Sequence, residues 1–212
     1  MQGHYKNCLD PTVCWCEVRG ISKVLLIALV IVAVQITAGT ISGSLALLAD
    51  AGHTAMDSVA YSVVLIATIL IRFGTYTSRV RDVAFYINIG LLFLVVVWIL
   101  IQAVKHFNEP GEVGGALMIL GAAIGGCLNY IQHKVLQGVP DVYKNDSHES
   151  NSLHVLQDMG TSIGVVLGGI IIVAGGPTIV DPLLSVVVAV LTFYGITRLL
   201  YKRYKRKRSE TI

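Results

Sequence analysis

Residues 83–104 read VAFYINIGLLFLVVVWILIQAV, an unbroken run without any acidic, basic or histidine side chain. A helix needs about 20 apolar residues to cross the hydrocarbon of a bilayer, and this run is long enough to do so. Five other stretches of similar length are also mainly apolar. They cover residues 21–41, 44–71, 114–135, 152–173 and 182–200. The sequence therefore predicts an all-α membrane protein with six transmembrane helices.

The composition of the whole chain supports this prediction. Of the 212 residues, 54% are hydrophobic and only 14% are charged, and the mean hydropathy is +0.71. Soluble domains carry roughly 25% charged residues, so this chain lacks the polar surface of a soluble protein. Three parts are predicted: a polar N-terminal tail at residues 1–20, a six-helix domain at residues 21–203 and a basic C-terminal tail at residues 204–212.

The basic residues indicate how the helices are oriented. Of the sixteen Lys and Arg residues, Lys105 alone falls in a connector on the opposite side, which leaves fifteen on one side. Because cytoplasmic loops are enriched in Lys and Arg, both termini are predicted to be cytoplasmic. The net charge of +3 is thus read as a topology signal, with the lipid bilayer and no nucleic acid as partner. The basic run at residues 202–208 is interpreted as a stop signal for helix 6 rather than a dedicated lipid-binding patch.

Ionisable side chains inside the predicted spans are concentrated in two helices. Helix 2 contains His53 and Asp57, and helix 5 contains His154 and Asp158, so each helix carries His-x-x-x-Asp. Residues four apart lie on one face of a helix, which predicts an imidazole and a carboxylate pointing the same way. Together the two faces offer two nitrogen and two oxygen donors, a set that suits tetrahedral Zn²⁺.

A single His-x-x-x-Asp on a soluble helix would be an ordinary surface pair. Here the spacing recurs in a second span, and no Lys or Arg in the central part of a span is available to neutralise the carboxylates. Unpaired buried charge is costly, so a bound cation or protons are expected, and a metal site is favoured over a purely structural network. Asp50, three residues before His53, extends the same face and is a candidate auxiliary ligand. Small residues after both pairs, such as Ser58 after the first and Ser162 after the second, would let helices 2 and 5 approach closely.

Three of the four cysteines lie at the N-terminus. Cys8, Cys14 and Cys16 are expected to be free thiols in a reducing cytoplasm. They are auxiliary candidates for capturing a soft metal, although their spacing is not an established zinc pattern. Cys127, in helix 4, is predicted to be a small packing residue.

At these residues the sequence resembles the cation diffusion facilitators, a family of zinc and divalent-metal exporters. Residues 42–57, SGSLALLADAGHTAMD, look like the second helix of that family nearly residue for residue. Residues 153–164, LHVLQDMGTSIG, look like its fifth helix, and residues 181–185, DPLLS, look like the entry to its sixth. The resemblance extends over about residues 20–203.

The resemblance implies that His53, Asp57, His154 and Asp158 are the transport-site ligands. It also implies a homodimer in the bacterial inner membrane that exports cytoplasmic Zn²⁺ in exchange for protons. Co²⁺, Cd²⁺, Ni²⁺ or Fe²⁺ accept overlapping ligands, so the ligand set does not fix the metal. No nucleotide-binding Gly-x-x-x-x-Gly-Lys-[Ser/Thr] is present, which favours secondary active transport.

The sequence departs from the family pattern in several places. The family usually has a cytoplasmic domain after helix 6, so a short member without that domain is expected. Gln35 and Gln102 stand where many members have glutamate, and this difference is expected to alter the entry path or the proton stoichiometry. By contrast, Asn88 and Asn129 agree with the pattern, because the family often carries asparagine at these positions.

Two alternatives to a metal exporter remain. One is a non-transporting membrane partner that stabilises a full-length relative. The other is a membrane metalloenzyme, but no His-Glu-x-x-His or separate general base accompanies the ligands, so an enzyme is not expected.

In an exporter, metal binding requires neutral imidazole and ionised carboxylate. Histidine has a reference pKa of about 6.5, so metal and protons would compete for the same atoms.

Overall fold

The computed structural model describes residues 16–72, 78–109, 111–137 and 146–209. These residues form six α-helices and contain no strand. The helices are α1 (Cys16–Ser42), α2 (Leu45–Arg72), α3 (Ser78–Asn108), α4 (Gly115–Gln137), α5 (Asp146–Val173) and α6 (Val180–Ser209). The predictions of an all-α fold and of six helices are confirmed.

Several helices are longer than the apolar runs that predicted them. α5 begins at Asp146 rather than near residue 152, and α6 continues to Ser209, well beyond Leu200. Apolar runs measure only the part of a helix that lies in hydrocarbon, whereas polar residues also continue a helix into the interfacial region. The basic residues before Ser209 that were predicted as a separate tail therefore extend α6.

Four of the six helices are long and apolar enough, within the described residues, to cross a membrane. These stretches are Val18–Ser42, Ile89–Asn108, Gly115–Gln137 and Val180–Tyr201. α2 and α5 both contain side chains outside the described set, and the described apolar part of α5, Asp158–Val173, is shorter than a full span. Large apolar side chains such as Leu26, Leu94 and Val190 point outward, as expected for a surface that contacts lipid.

One packing prediction is wrong. Cys127 is exposed on α4 rather than packed inside the bundle. The buried face of α4 is formed by positions such as Gly121, Gly125 and Asn129. Cys127 lies about 200° around the helix from Gly125, because successive residues are about 100° apart, and its side chain is turned away from the neighbouring helices.

α2 occupies the centre of the bundle, because it contacts each of the other five helices. α4 packs between α1 and α5, all three contact α2, and α3 packs against α6 and α2. Small residues allow the closest approaches. A Cβ atom on Gly121 of α4 would lie 2.6 Å from the Cβ of Ala38 on α1, and one on Gly169 of α5 would lie 2.6 Å from Ile119 Cγ1 on α4. Gly168 and Gly169 of α5 thus pack against α4 and α6, whereas Ser162 of α5 bonds Asp50 of α2.

A tight turn before α2 and a carboxylate from α6 fix the start of α2. Gly43 adopts φ +69°, which a side chain would strain, and the Ser44 hydroxyl caps the helix by accepting a bond from Leu47 N at 3.1 Å. Asp181, at the first turn of α6, accepts bonds from Ser44 Oγ at 2.6 Å and from the backbone N–H of Leu45 at 2.7 Å and of Ala46 at 3.2 Å. A negative charge at a helix N-terminus is stabilising, so Asp181 ties α2 to α6.

Replacing Asp181 with Ala should therefore lower the thermal stability of the purified chain. Asp181 is fully buried, and its loss removes three charge-assisted hydrogen bonds and leaves two N–H groups without their acceptor. A cost of at least about 3 kcal/mol is expected, since each buried N–H left without an acceptor costs roughly 1–3 kcal/mol. A thermal melt in detergent measures the effect, with Ser44→Ala giving a smaller loss. A melting temperature unchanged by Asp181→Ala would contradict this role.

Candidate metal centre

The centre begins on one face of α2. His53 and Asp57 are one turn apart, and His53 Nε2 lies 3.8 Å from Asp57 Oδ2. His53 comes eight residues after Leu45, the first residue of α2, which puts it about 12 Å along the helix. His53 and Asp57 share a face because they are four residues apart. Their distance along α2 is set by the start of the helix, which Asp181 holds in place.

α5 brings a second carboxylate to the same imidazole. Asp158 Oδ1 lies 3.4 Å from His53 Nε2. One ligand atom from each of His53, Asp57 and Asp158 lies within 4.8 Å of the other two, and no other such group occurs within the described residues. The three residues are only 6%, 8% and 3% exposed. The structure therefore brings three of the four sequence-predicted ligands together in a buried group.

The spacing of these atoms suits a small tetrahedral cation. Ligand atoms about 2.0–2.2 Å from Zn²⁺ at tetrahedral angles are about 3.4 Å from one another. The observed 3.4 Å between His53 Nε2 and Asp158 Oδ1 matches that value, and the 3.8 Å to Asp57 Oδ2 is slightly wider. One nitrogen and two oxygens leave room for a fourth ligand.

The remaining predicted ligands lie outside what the structure describes. The backbone of His154 is part of α5, one turn before Asp158, but its side chain is not among the described residues. Cys8 and Cys14 are outside the described residues, as is the side chain of Cys16 at the start of α1. Their roles stay predictions.

Asp50 lies next to this group but has different contacts. It is 1% exposed and accepts hydrogen bonds from Gln35 Nε2 at 2.6 Å, Thr161 Oγ1 at 2.9 Å and Ser162 Oγ at 3.2 Å. These donors come from α1 and α5, so Asp50 joins three helices beside the candidate ligands. Its oxygens are occupied by donors, and its auxiliary-ligand role stays a prediction.

The contact of Gln35 gives a physical reason for one departure from the family pattern. Gln35 is fully buried, and its amide nitrogen donates directly to Asp50. A glutamate at this position would put a second carboxylate 2.6 Å from the first, whereas the amide supplies a donor. Gln102, the second position where many members have glutamate, is only half-buried. Its backbone carbonyl oxygen lies 3.0 Å from His106 Nδ1.

The surroundings of the centre are apolar one helical turn beyond Asp57, toward the C-terminal end of α2. Tyr61 follows Asp57 by one turn and belongs to a buried cluster with Val24, Ala28, Leu136 and Val155. The cluster draws on α1, α2, α4 and α5 and excludes water from that side. Low polarity strengthens electrostatic interactions at the centre, because fewer water dipoles screen them.

α6 also contributes to the centre through Thr192. Thr192 Oγ1 lies 3.4 Å from His53 Nδ1, on the side of the imidazole ring away from the two carboxylates. The sequence reasoning did not identify Thr192 or Thr161, because each is a common residue in a helix. A usable signal was the recurrence of hydroxyls seven residues apart, Ser185 and Thr192, in an otherwise apolar part of α6.

Comparison with known proteins gives the chain its family. The profile of the cation efflux transmembrane domain matches residues 23–206. The zinc transporter ZitB of Yersinia pestis is 36% identical over 199 residues, which is 86% of this chain and 62% of that protein. The cadmium, cobalt and zinc/H(+)-K(+) antiporter of Bacillus subtilis is 32% identical over 191 residues, 83% of this chain and 61% of that protein.

A third relative, the metal cation efflux system protein CzcD of Cupriavidus metallidurans, is 30% identical over 162 residues, 73% of this chain and 50% of that protein. The chain thus spans between one half and two thirds of the length of these curated relatives. The relatives are named as transporters rather than enzymes. The matched domain and the apolar helices make this an integral multi-pass protein of the bacterial inner membrane. The chain belongs to the cation efflux family, the cation diffusion facilitators.

Proposed function

We propose that the chain is a secondary active exporter that moves divalent metal cations, foremost Zn²⁺, out of the cytoplasm in exchange for protons. The transport site is formed by His53, Asp57 and Asp158, with His154 as the fourth ligand. The observation that carries the proposal is the buried group of three metal-ligating side chains on α2 and α5, in a chain of the cation efflux family.

The chemistry of the site supports a cation as its occupant. Two aspartates and one histidine meet there, and the Lys and Arg residues of the spans, such as Lys23, lie near the span ends rather than beside the carboxylates. Ionisable residues inside a membrane are costly and mark ion pathways. A divalent cation would balance the two carboxylate charges, and the nitrogen–oxygen donor set favours Zn²⁺ over Mg²⁺ or Ca²⁺, which prefer oxygen alone.

The names of the relatives support the same class of substrate. One relative is called a zinc transporter, and another is called a cadmium, cobalt and zinc antiporter that uses H⁺ and K⁺. Zn²⁺ is the metal common to both names. Cd²⁺ and Co²⁺ are further candidate substrates of this chain, and H⁺ is its candidate counter-ion.

Competition for the same atoms is sufficient to couple the two fluxes. His53 Nε2 faces the oxygens of Asp57 and Asp158, so it either shares a proton with a carboxylate or gives its lone pair to the metal. Metal binding therefore releases protons, and protons arriving from the other side of the membrane release the metal. Alternating access about a site within the membrane completes the cycle.

Three expectations from the sequence stay predictions. They are the homodimer, the cytoplasmic location of both termini and the three-part division of the chain.

Proteoliposomes with an imposed pH gradient test this function. The chain should move Zn²⁺ faster than Co²⁺, Fe²⁺ or Mn²⁺, in the direction opposite to the proton flux, and collapse of the gradient with a protonophore should stop accumulation. Empty liposomes and liposomes with His53→Ala provide the controls. No flux of any of these metals would contradict the proposal and favour the non-transporting partner.

A further inference from the structure

We infer that Thr192 of α6 is a positioning residue for His53: it fixes the tautomer that presents the Nε2 lone pair to the metal. The inference rests on the proposed function, because it takes His53 as a ligand. Thr192 itself touches neither carboxylate in the described contacts, and it acts through the imidazole ring alone.

The Thr192 hydroxyl has two possible acceptors for its proton. Thr192 Oγ1 lies 2.9 Å from the carbonyl oxygen of Val188, one turn earlier on α6, and 3.4 Å from His53 Nδ1. A hydroxyl has one proton to donate, and a carbonyl is a strong acceptor. The shorter contact therefore takes the proton, as is usual for a threonine inside a helix.

The position of this proton decides which tautomer of His53 the site favours when metal binds. With its proton committed to Val188, the hydroxyl oxygen can only accept at Nδ1, so Nδ1 carries the hydrogen. Neutral imidazole has one N–H and one lone pair. The lone pair is then on Nε2, the atom that lies 3.4 Å from Asp158 Oδ1 and 3.8 Å from Asp57 Oδ2. The opposite tautomer would aim an N–H into the site and would prevent coordination.

Burial makes this contact consequential. Thr192 is 4% exposed and His53 is 6% exposed, so water has little access to replace the hydroxyl. Metal-ligating histidines generally donate their second N–H to a fixed partner, and removal of such partners costs roughly 10–100-fold in metal affinity. The contact of Thr192 thus links α6 directly to a candidate ligand.

Four variants test the inference by competition for Zn²⁺ with a chromogenic chelator in detergent. Thr192→Val removes the acceptor with little change of shape and should weaken binding by roughly 10–100-fold. Thr192→Ser keeps the acceptor and should restore it. Thr197→Val is the matched control, because Thr197 bonds the Tyr194 carbonyl on the exposed face of the same helix. His53→Ala shows whether the imidazole is a ligand.

Nitrogen NMR of the His53 ring in the Zn²⁺-loaded chain gives a readout that general loosening of the fold would not move. The wild-type ring should bind Zn²⁺ through Nε2 and carry its proton on Nδ1, and Thr192→Val should shift the Nδ1 resonance because the N–H loses its acceptor. A wild-type ring that binds Zn²⁺ through Nδ1 would overturn the inference, and this measurement holds even if a variant does not fold. If His53→Ala loses Zn²⁺ but Thr192→Val does not, only the role of Thr192 fails. If His53→Ala binds as tightly as wild type, the proposed site itself fails.

Discussion

Replacing His53 with Ala is expected to reduce Zn²⁺ affinity by more than about 100-fold and to abolish transport, since loss of an outer contact alone costs roughly 10–100-fold. His53 is the residue of the described group that contacts both others, at 3.4 Å from Asp158 and 3.8 Å from Asp57. Without it, the two buried carboxylates lose the imidazole that lies beside both of them. Chelator competition and the initial rate of proteoliposome uptake measure the two effects.

His106→Ala is the matched control for this substitution. His106 lies near the end of α3, where its ring nitrogen contacts the Gln102 carbonyl, and it is not part of the three-residue group. The control should keep wild-type affinity and flux. If both histidine variants transported Zn²⁺ at the wild-type rate, the ion would have to pass elsewhere.

Replacing His53 with Asp is expected to change which metal is carried. The substitution turns a mixed nitrogen and oxygen set into one richer in carboxylate oxygens, which suits harder cations such as Mn²⁺. The ratio of Zn²⁺ to Mn²⁺ transport should fall by roughly tenfold, because a change of about 1.4 kcal/mol in relative affinity suffices. Parallel uptake of both metals, at equal concentration in the same vesicle preparation, gives that ratio directly.

Asp57→Glu serves as a comparison, because it keeps the number of imidazole and carboxylate ligands. It should lower the rate through altered geometry while Zn²⁺ remains the preferred metal. A ratio of Zn²⁺ to Mn²⁺ that stays at the wild-type value in His53→Asp would show that the imidazole does not set selectivity.

The sequence alone was sufficient to predict much of the architecture and the outline of the site. Uncharged apolar runs are long enough to identify membrane helices, and i, i+4 spacing decides that His53 and Asp57 share a face. The recurrence of the pair around Asp158 indicated a second contributing helix, and the two helices do meet at His53. The ends of α5 and α6 were less accurate, because polar helical extensions carry no apolar signal.

Contacts between distant parts of the chain were beyond sequence reasoning. Asp181 resembles an ordinary first-turn acidic residue of α6, yet its carboxylate caps α2, 136 positions away in sequence. Gln35 was noted only as a departure from a family pattern, and its bond to Asp50 depends on how closely α1 packs against α2. Spacing along one helix predicts a face, but it does not predict which residue of another helix lies opposite.

X-ray absorption at the zinc edge, on the purified chain loaded with Zn²⁺, reports which atoms surround the ion. One tightly bound Zn²⁺ per chain is expected, surrounded by nitrogen and oxygen at about 2.0–2.2 Å, with imidazole scattering that declines in His53→Ala. Sulfur neighbours at about 2.3 Å, or a spectrum that does not change in His53→Ala, would place the ion outside the site formed by His53, Asp57 and Asp158.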